Sequence, residues 1–383
     1  MKKIVVASDS FKGSVTSLEV AESAEKAIRS VFPDCEVLKI PVADGGEGTT
    51  EALVHAMGGK MMACRVHDPL MNLIYTEYGI LGDGETAVIE MASASGLPLV
   101  PEDKRNPLLT TTYGTGELIK DALERGCRHF LVGIGGSATN DAGTGMLQAL
   151  GFRFLDKEGK ELRQGGRILQ DICSTDRSQA LPRLKEADFT VACDVNNPFS
   201  GENGAAFVYA RQKGADDEMI RLLDRGLTHF ASVIRQQEQK DIDAIPGAGA
   251  AGGLGGGFLA FLPTTLKPGI QMVLDALLFE EKIKGADLVI TGEGKLDKQT
   301  GMGKTPGGIL QAARKQHIPT IAIGGSIEEA EALNSQGFLS AFSIQPGTVS
   351  LRQAMDNVFA RQNIERTVTQ FLRIIRHYQI VNQ

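Results

Sequence analysis

The sequence has few cysteines, no cluster of basic residues and no long apolar run. Its five cysteines stand singly, without a C-x-x-C pair or a histidine at metal-ligand spacing, so we expect reduced core thiols instead of disulfides or a zinc site. The formal net charge of -7 gives no positive field for a nucleic acid backbone. No apolar stretch approaches the roughly 20 residues that cross a bilayer, and the apolar segment after Lys3 is too short for a signal peptide. We therefore expect a cytoplasmic protein that binds neither nucleic acid nor membrane.

Several common catalytic motifs are also absent. Gly301-Met-Gly-Lys-Thr305 lacks the first glycine of a Walker-type P-loop, and the signature motifs of protein kinases do not occur. Gly247-Ala-Gly-Ala-Ala-Gly252 formally matches the dinucleotide fingerprint, but it follows a poor strand and has no acidic partner strand downstream. The absence of a Ser-His-Asp order and of a G-x-S-x-G elbow leaves acyl transfer without support.

The order of the segments predicts an α/β protein. A chain of 383 residues is long for one hydrophobic core, so two domains are expected. Strand-like and helix-like segments alternate near both chain ends, which is typical of a parallel sheet covered by helices. We predict a doubly wound, Rossmann-like domain from residues 1–60 and 275–383, an inserted second α/β domain from residues 61–274, and an active-site cleft between them. Short alternating runs around Asp83-Gly84 predict antiparallel hairpins at the start of the insertion.

Glycine is abundant, with 45 residues, and many glycines follow strand-like segments, where open α/β sheets bind ligands. Gly133–Asp141 offers backbone N–H groups, hydroxyls and a carboxylate at the start of a helix, which suits a phosphate cradle. A tight turn with an Asn-Asp helix cap would use the same residues. A second segment, Pro246–Gly257, indicates a Gly/Ala-rich helix start that packs on another backbone or cradles phosphate.

Acidic side chains follow several of the predicted strands. Asp9, Asp44, Asp194 and Glu293 each lie close to a strand end, and Asp297 comes four residues after Glu293. Phosphoryl transfer to an alcohol needs a carboxylate for the hydroxyl proton, carboxylates for magnesium and cations near the phosphates. The candidate cations lie beside glycines in loops: Lys12, Lys213, Lys295 and Lys304. Taken singly, each acid is equally typical of a helix cap, and each lysine of a solvated surface.

Eight segments, in the same order, resemble the bacterial glycerate kinase family across nearly the whole chain. They are Asp9-Ser-Phe-Lys-Gly-Ser14, Ala43-Asp-Gly-Gly-Glu-Gly-Thr49, Gly114-Thr-Gly-Glu-Leu-Ile119, Gly133-Ile-Gly-Gly-Ser-Ala-Thr-Asn-Asp141, Cys193-Asp-Val-Asn-Asn-Pro198, Gln212-Lys-Gly-Ala215, Gly247-Ala-Gly-Ala-Ala-Gly-Gly253 and Thr291-Gly-Glu-Gly-Lys-Leu-Asp297. The resemblance implies ATP and D-glycerate as substrates, and ADP and 2-phosphoglycerate as products. The chain departs from the family at Tyr209-Ala-Arg211, where relatives usually have Phe-Gly-Pro, and at Ser8, where they usually have proline.

Within this interpretation, we assign roles to individual residues. Asp194 is the expected base for the hydroxyl proton, with Asp44 as second choice, and Lys12 and Lys213 complete the catalytic set. Glu293 and Asp297 are the expected Mg²⁺ ligands. The expected substrate- and nucleotide-binding residues are Asp9, Ser10, Gly45, Gly46, Gly135, Gly136, Ser137, Thr139, Asn140, Asp141, Asn197, Gly249, Gly252 and Gly253.

Two other functions use the same features. A kinase for another small hydroxy acid would bind the acid's carboxylate with the same lysines, and a catalytically silent sensor of a nucleotide or metabolite would keep the fold alone. The expected partners are the small molecules glycerate and ATP. A homo-oligomer stays open, because an apolar face that packs on a partner has the same pattern as one that packs on its own sheet.

Overall fold

The computed structural model describes residues 1–298, 300–301 and 304–381. The chain divides into two compact units, of which the first comprises Met1–Asp44 with Val273–Gln383 and the second comprises Gly45–Met272. The predicted division at residues 60 and 275 stays a prediction. In the ranges described, no helix combines the length and the apolar character needed to cross a bilayer.

The strands run in chain order through both units. They are β1 (Lys3–Val6), β2 (Glu36–Lys39), β3 (Lys60–His67), β4 (Leu73–Ile80), β5 (Thr86–Glu90), β6 (His129–Gly133), β7 (Arg153–Leu155), β8 (Ser174–Asp176), β9 (Asp188–Ala192), β10 (Thr264–Lys267), β11 (Leu288–Leu296), β12 (Thr320–Ile327) and β13 (Ser340–Ser343).

The α-helices are α1 (Ser17–Val31), α2 (Thr49–Ala56), α3 (Ala92–Ser95), α4 (Tyr113–Glu124), α5 (Thr144–Ala149), α6 (Ala205–Tyr209), α7 (Asp217–Gln237), α8 (Ala250–Phe261), α9 (Gly269–Ala276), α10 (Phe279–Lys282), α11 (Thr305–Lys315), α12 (Ala330–Gln336), α13 (Leu351–Ala354) and α14 (Asn357–Val381). Short 3₁₀ helices cover Leu97–Leu99, Glu102–Lys104, Gly166–Gln170, Pro182–Glu186 and Arg211–Lys213.

Helix α1 shows how the local sequence sets an element boundary. Thr16 Oγ1 accepts a hydrogen bond from Glu19 N, and Glu19 Oε2 accepts one from Thr16 N, which is a capping box. Val20, Ala24 and Ile28 then follow at helical spacing and are fully buried. The helix therefore begins at Ser17, and the loop before it stays at the carboxyl end of β1.

The first unit contains a parallel sheet with the strand order β13-β12-β11-β1-β2. From β1 the chain moves to β2 on one side, whereas β11, β12 and β13 follow one another towards the opposite side. The strand order therefore reverses its direction between β1 and β11. Such a reversal opens a crevice at the carboxyl ends of the two strands, because the crossover helices diverge to opposite faces.

Helices cover both faces of this sheet, since alternate side chains of a strand point to opposite faces. Ile4 of β1 and Ile290 of β11 share a core cluster with residues of α1 and α14. Ala322 of β12 instead packs with Leu310 of α11 and Leu333 of α12. The prediction of a doubly wound parallel sheet that is built from both chain ends is confirmed.

The second unit contains a mixed sheet with the order β10-β9-β6-β5-β4-β3. The strands from β10 to β5 pair in parallel, and β5, β4 and β3 pair antiparallel, which confirms the predicted hairpins. Asp83 Oδ1 accepts hydrogen bonds from Glu85 N and Thr86 N in the turn between β4 and β5. Phe130 of β6 stacks on Phe189 of β9, with ring centroids 4.7 Å apart, in the core of this unit.

Candidate functional site

The first unit has a pocket at the carboxyl ends of β1 and β11. Its volume is about 760 Å³, which lies within the ~300–1,000 Å³ range of small-molecule sites. The charged residues that line it are Asp9, Lys12, Asp44, Glu293, Lys295 and Lys304. Open α/β sheets bind ligands at the place where the strand order reverses, so this pocket is a candidate active site.

Backbone contacts hold Asp9 against β11. Asp9 N donates to Gly292 O (2.9 Å), while the Asp9 carboxylate accepts hydrogen bonds from Ser10 N (2.6 Å) and Thr305 Oγ1 (3.0 Å). Burial raises the pKa of Asp9, and the nearby Asp44 carboxylate raises it further, whereas the two hydrogen bonds oppose the shift. A cation in this pocket would offset the repulsion between the two carboxylates.

Among the acids of this pocket, Glu293 has a pKa that is raised well above its ordinary value. Burial raises the pKa of Glu293 to about 7, against the opposing effects of the Lys304 ammonium and the Thr300 hydroxyl. Thr300 Oγ1 donates to Glu293 Oε1 (2.9 Å). Lys304 Nζ lies 3.7 Å from Glu293 Oε1 and 3.5 Å from Asp297 Oδ1. Lys304 therefore links the two predicted metal ligands.

The acidic groups suit a metal that is bound together with its substrate. Within the described part of the chain, no three His, Cys, Asp or Glu side chains converge as a metal-binding group. Mg²⁺ usually takes only one or two protein carboxylates, and phosphate oxygens and waters complete its shell. Oxygen donors of this number and type fit Mg²⁺ together with a nucleotide.

Two further lysines of the pocket differ in their contacts. Lys12 Nζ lies 4.0 Å from Asp44 Oδ2, and the Lys12 side chain is 69% exposed. Lys295 Nζ is paired with Glu328 Oε1 at 2.9 Å. Lys12 is therefore better placed to contact a ligand than Lys295.

In the second unit, the Gly133–Asp141 loop follows β6 and has an exposed part and a buried part. Gly135 and Gly136 are exposed, and a Cβ on Gly135 would meet no atom of the described structure within 4 Å. Ser137, Thr139, Asn140 and Asp141 are all buried. The backbone at Gly135 and Gly136 is therefore the accessible part of the predicted phosphate cradle.

Asp141 holds the buried part of this loop. Its carboxylate accepts hydrogen bonds from Thr112 N (2.8 Å), Thr112 Oγ1 (2.9 Å), Gly143 N (3.2 Å) and Gly145 N (3.3 Å). Burial raises the pKa of Asp141, and these hydrogen bonds oppose the shift. Two of the donors, Gly143 N and Gly145 N, lie at the start of α5, although the N-cap position itself is held by Gly143, which has no side-chain cap. The neighbouring Asn140 amide is buried and has no hydrogen-bond partner among the described residues.

Lys213 is a buried cation that contacts the same loop. It is 2% exposed, and its Nζ donates to Ser137 Oγ and to Thr139 O, both at 2.6 Å. Burial lowers the pKa of Lys213 to about 7, and the Asp141 carboxylate opposes the shift. Lys213 therefore stabilises the loop, and its direct contact with a substrate stays a prediction.

The second glycine-rich segment packs against the first. Ala251, Gly252 and Gly253 have φ values of 54°, 69° and 87°, so the chain makes a left-handed turn within α8. Ala142 N donates to Gly252 O (3.0 Å), and a Cβ on Gly252 would collide with Thr139 O. Close packing on another backbone, one of the two uses predicted for this segment, is thus the use that the structure shows.

Asp194 and Gly45 lie at the carboxyl end of β9. Gly45 has φ 89°, and a Cβ there would lie 2.8 Å from both Ala192 Cβ and Gly269 Cα. Asp194 Oδ1 accepts a hydrogen bond from Gly269 N (2.9 Å). Gly46, next to Gly45, leads into α2. These contacts fix the position of Asp194 relative to the Gly45–Gly46 loop.

Asn197 is held by the segment that departs from the family pattern. Tyr209 Oη donates to Asn197 Oδ1 (2.6 Å), and Asn197 Nδ2 donates to Asn203 O (2.8 Å). A phenylalanine at position 209 could not make the first bond. Gly249 N also donates to Asn197 O (3.1 Å). The Tyr209 hydroxyl therefore fixes the orientation of the Asn197 amide.

The predicted site residues thus fall into two groups. Asp9, Ser10, Lys12, Asp44 and Glu293 line the pocket of the first unit, and Asp297 lies beside its Lys304. In the second unit, Gly45 and Gly46 lie before α2, and the remaining predicted residues belong to three mutually packed segments: 133–141, 194–213 and 247–253. The sequence-based assignment missed the pocket wall formed by residues 344–355. The one sequence feature that could have indicated this wall is its position directly after the strand-like segment of β13.

Comparisons with known proteins agree along the chain. The model of the glycerate kinase family matches residues 4–376. A glycerate kinase from Halalkalibacterium halodurans is 50% identical over 356 residues, which cover 93% of this chain and 94% of that protein. The glycerate 2-kinase of Escherichia coli K12 is 47% identical over 372 residues, or 96% and 98% of the two chains. A crystal structure from Salmonella typhimurium LT2, provisionally assigned as glycerate kinase 2, is 44% identical and matches 99% of both chains with a TM-score of 0.91.

Proposed function

The chain belongs to the glycerate kinase family, and on this basis we propose that it transfers the γ-phosphoryl group of ATP to D-glycerate and produces 2-phosphoglycerate. The observation that carries the proposal is the family match over residues 4–376. That range includes the pocket with Asp9, Asp44 and Glu293. An acidic pocket where the strand order reverses suits a phosphoryl transfer site.

The acids of the pocket would hold Mg²⁺. Glu293 and Asp297 are the proposed ligands, and the Asp9 carboxylate lies near enough to Glu293 to raise its pKa. Bound there, the ion would neutralise charge on the phosphate oxygens during transfer. The buried, mutually repelling carboxylates support this assignment, because a divalent cation would stabilise their ionised forms.

Cations and backbone donors would position the reacting groups. The ammonium groups of Lys12 and Lys304 would neutralise phosphate oxygens, and their side chains are 69% and 37% exposed. The exposed backbone at Gly135 and Gly136 would donate N–H groups to phosphate or carboxylate oxygens.

Asp194 is the proposed base, with Asp44 as the second choice. The base would accept the proton of the attacking glycerate hydroxyl as the new phosphate ester bond forms. The hydrogen bond from Gly269 N to Asp194 Oδ1 (2.9 Å) fixes the carboxylate orientation, as a base requires. We also propose a cytoplasmic location, where ATP is supplied.

A coupled assay of ADP formation tests the activity. We expect ADP formation that depends on D-glycerate, with slower turnover of L-glycerate and tartronate. Faster turnover of another hydroxy acid would assign the enzyme to that substrate. ATP binding without any acid-dependent ADP formation would instead favour the sensor function.

Phosphorus NMR of the product tests the position of transfer. Phosphate on the 2-hydroxyl couples to a single proton and gives a doublet, whereas phosphate on the 3-hydroxyl couples to a methylene group and gives a triplet. We expect the doublet. A triplet would correct the product to 3-phosphoglycerate without affecting the kinase assignment.

A further inference from the structure

The pocket of the first unit has an apolar wall that none of the roles above uses. Ile344, Val349, Leu351, Ala354 and Met355 line it. The wall leaves the end of β13, continues through α13 and returns towards the loop after β1, where Met355 Cε lies 2.8 Å from the position of a Cβ on Gly13. One continuous segment therefore forms this side of the pocket.

The pocket is larger and more apolar than a site for glycerate alone requires. Glycerate is a three-carbon acid with polar groups on every carbon, so it gains little from an apolar wall. A volume of about 760 Å³ is instead in the range of sites for ligands of drug or cofactor size. The wall suits a ligand with an apolar face.

The wall lies at a distance from the acids that suits a nucleotide. In the sheet, β13 is separated from β11 by β12, and neighbouring strands are about 4.8 Å apart. The end of β13 therefore lies roughly 10 Å from Glu293 along the sheet edge. A ribose and its phosphate chain would bridge an apolar wall and an acidic, metal-binding end separated in this way.

Two polar atoms in the pocket lack partners. Gln345 Oε1 and Ser14 Oγ are buried and make no hydrogen bond to any described residue, although both residues line the pocket. Buried polar atoms without partners are costly. Because Gln345 Oε1 has almost no accessible surface, the Gln345 amide would have to turn towards the pocket before a donor on an occupant could satisfy it.

We propose that the wall formed by residues 344–355 is the base-binding part of the ATP site. Leu351 and Met355 contact the faces of the adenine ring, and Gln345, after its amide turns towards the pocket, accepts a hydrogen bond at Oε1 from the exocyclic amino group. The phosphates then extend towards Glu293 and Lys304. The identity of the base rests on the proposed function, in which ATP is the donor.

Calorimetric titration with Mg·ADP tests the proposal without requiring turnover. Leu351→Ala removes a contact with the base, and Ala354→Phe fills the space for it. We expect the dissociation constant of ADP to rise about fivefold in the first variant and at least about tenfold in the second. Leu339→Ala is the matched control, because Leu339 and Leu351 are 60% and 78% exposed and Leu339 is not among the described residues of the pocket lining. The control should bind ADP as the wild type does.

Inorganic tripolyphosphate, which has no base, separates the two ends of the pocket. Its affinity should be the same in the wild type and in Leu351→Ala. Equal losses of ADP and tripolyphosphate binding, or unchanged ADP binding in both wall variants, would overturn the proposal. Thermal unfolding identifies a misfolded variant, and Gln345→Leu then supplies an independent test that should also weaken ADP binding.

The assay with D-glycerate distinguishes failure of this inference from failure of the proposed function. If the wall variants weaken ADP binding but the wild type forms no ADP from ATP when D-glycerate is added, the inference of the base site stands. The assignment of D-glycerate as acceptor is then wrong. If the wild type phosphorylates D-glycerate and the wall variants bind ADP with wild-type affinity, only the inference of the base site is wrong.

Discussion

Asp194 is the residue on which the proposed proton transfer depends. Asp194→Asn keeps the size of the side chain and removes its basicity, so kcat should fall by about 10²- to 10⁴-fold. The affinity for ADP, measured by calorimetry, should change little. Asp188→Asn at the opposite end of β9 is the control and should keep wild-type kcat. A loss below about tenfold for Asp194→Asn would transfer the role of base to Asp44.

Lys213 should make stability depend on pH. Its pKa in the folded chain is about 7, below the ordinary value of about 10.4, so between these values the unfolded chain binds a proton that the folded chain excludes. Stability therefore rises with pH in this window, by up to about 1.4 kcal/mol per pH unit. Urea unfolding at about pH 7 and about pH 9 should show this rise in the wild type and in Lys185→Met, but not in Lys213→Met. Parallel pH profiles for the wild type and Lys213→Met would contradict the low pKa.

Strand-end position was sufficient to predict from the sequence that Asp9, Asp44 and Glu293 lie at one edge of the sheet, where they line the same pocket, because parallel strands bring their carboxyl ends to one edge. It could not predict the contacts of Lys213 or Tyr209. The hydrogen bond from Lys213 Nζ to Ser137 Oγ joins residues 76 positions apart. Local sequence patterns do not predict a partner so distant in the chain.

At the scale of elements, the packing of the two glycine-rich segments should be sensitive to one methyl group. Gly252→Ala adds left-handed strain at φ 69° and a collision with Thr139 O. Gly159→Ala adds similar strain at φ 79° in the same unit, but its Cβ would meet no described atom within 4 Å. We expect the control to lose about 1 kcal/mol of unfolding free energy and Gly252→Ala at least about 3 kcal/mol. Equal losses in denaturant unfolding would show that the collision relaxes easily.

The sequence predicted most elements, since periodic burial in helices and strands is a local property. The antiparallel hairpins around Asp83-Gly84 and the parallel sheet built from both chain ends were predicted in this way. The left-handed turn at Ala251–Gly253 was not predicted. It is stabilised by contact with the Thr139–Ala142 backbone, and such contacts depend on the fold of the whole unit.

At the scale of the whole molecule, the second unit should fold without the first. Gly45–Met272 is continuous in sequence and has a core cluster that extends from Val66 to Leu262. A fragment of these residues should unfold cooperatively on heating and resist brief proteolysis. Fragments Met1–Asp44 and Val273–Gln383 should each remain unfolded alone, because each holds only part of a parallel sheet. A non-cooperative transition of the Gly45–Met272 fragment would contradict its independence.

The parallel pairing of β1 with β11 also determines when β1 can be enclosed in its sheet during synthesis on the ribosome. Ile4 pairs with Leu288, so β1 must wait for roughly 280 further residues, or roughly 15 to 60 s at ~5–20 residues per second. During this interval the second unit emerges completely and is able to fold, while Ile4, Val5 and Val6, which are fully buried in the finished protein, still lack β11. The apolar segment of β1 is thus synthesised long before β11 is available to enclose it. This delay gives chaperones that bind short apolar segments a defined period in which to act on the nascent chain.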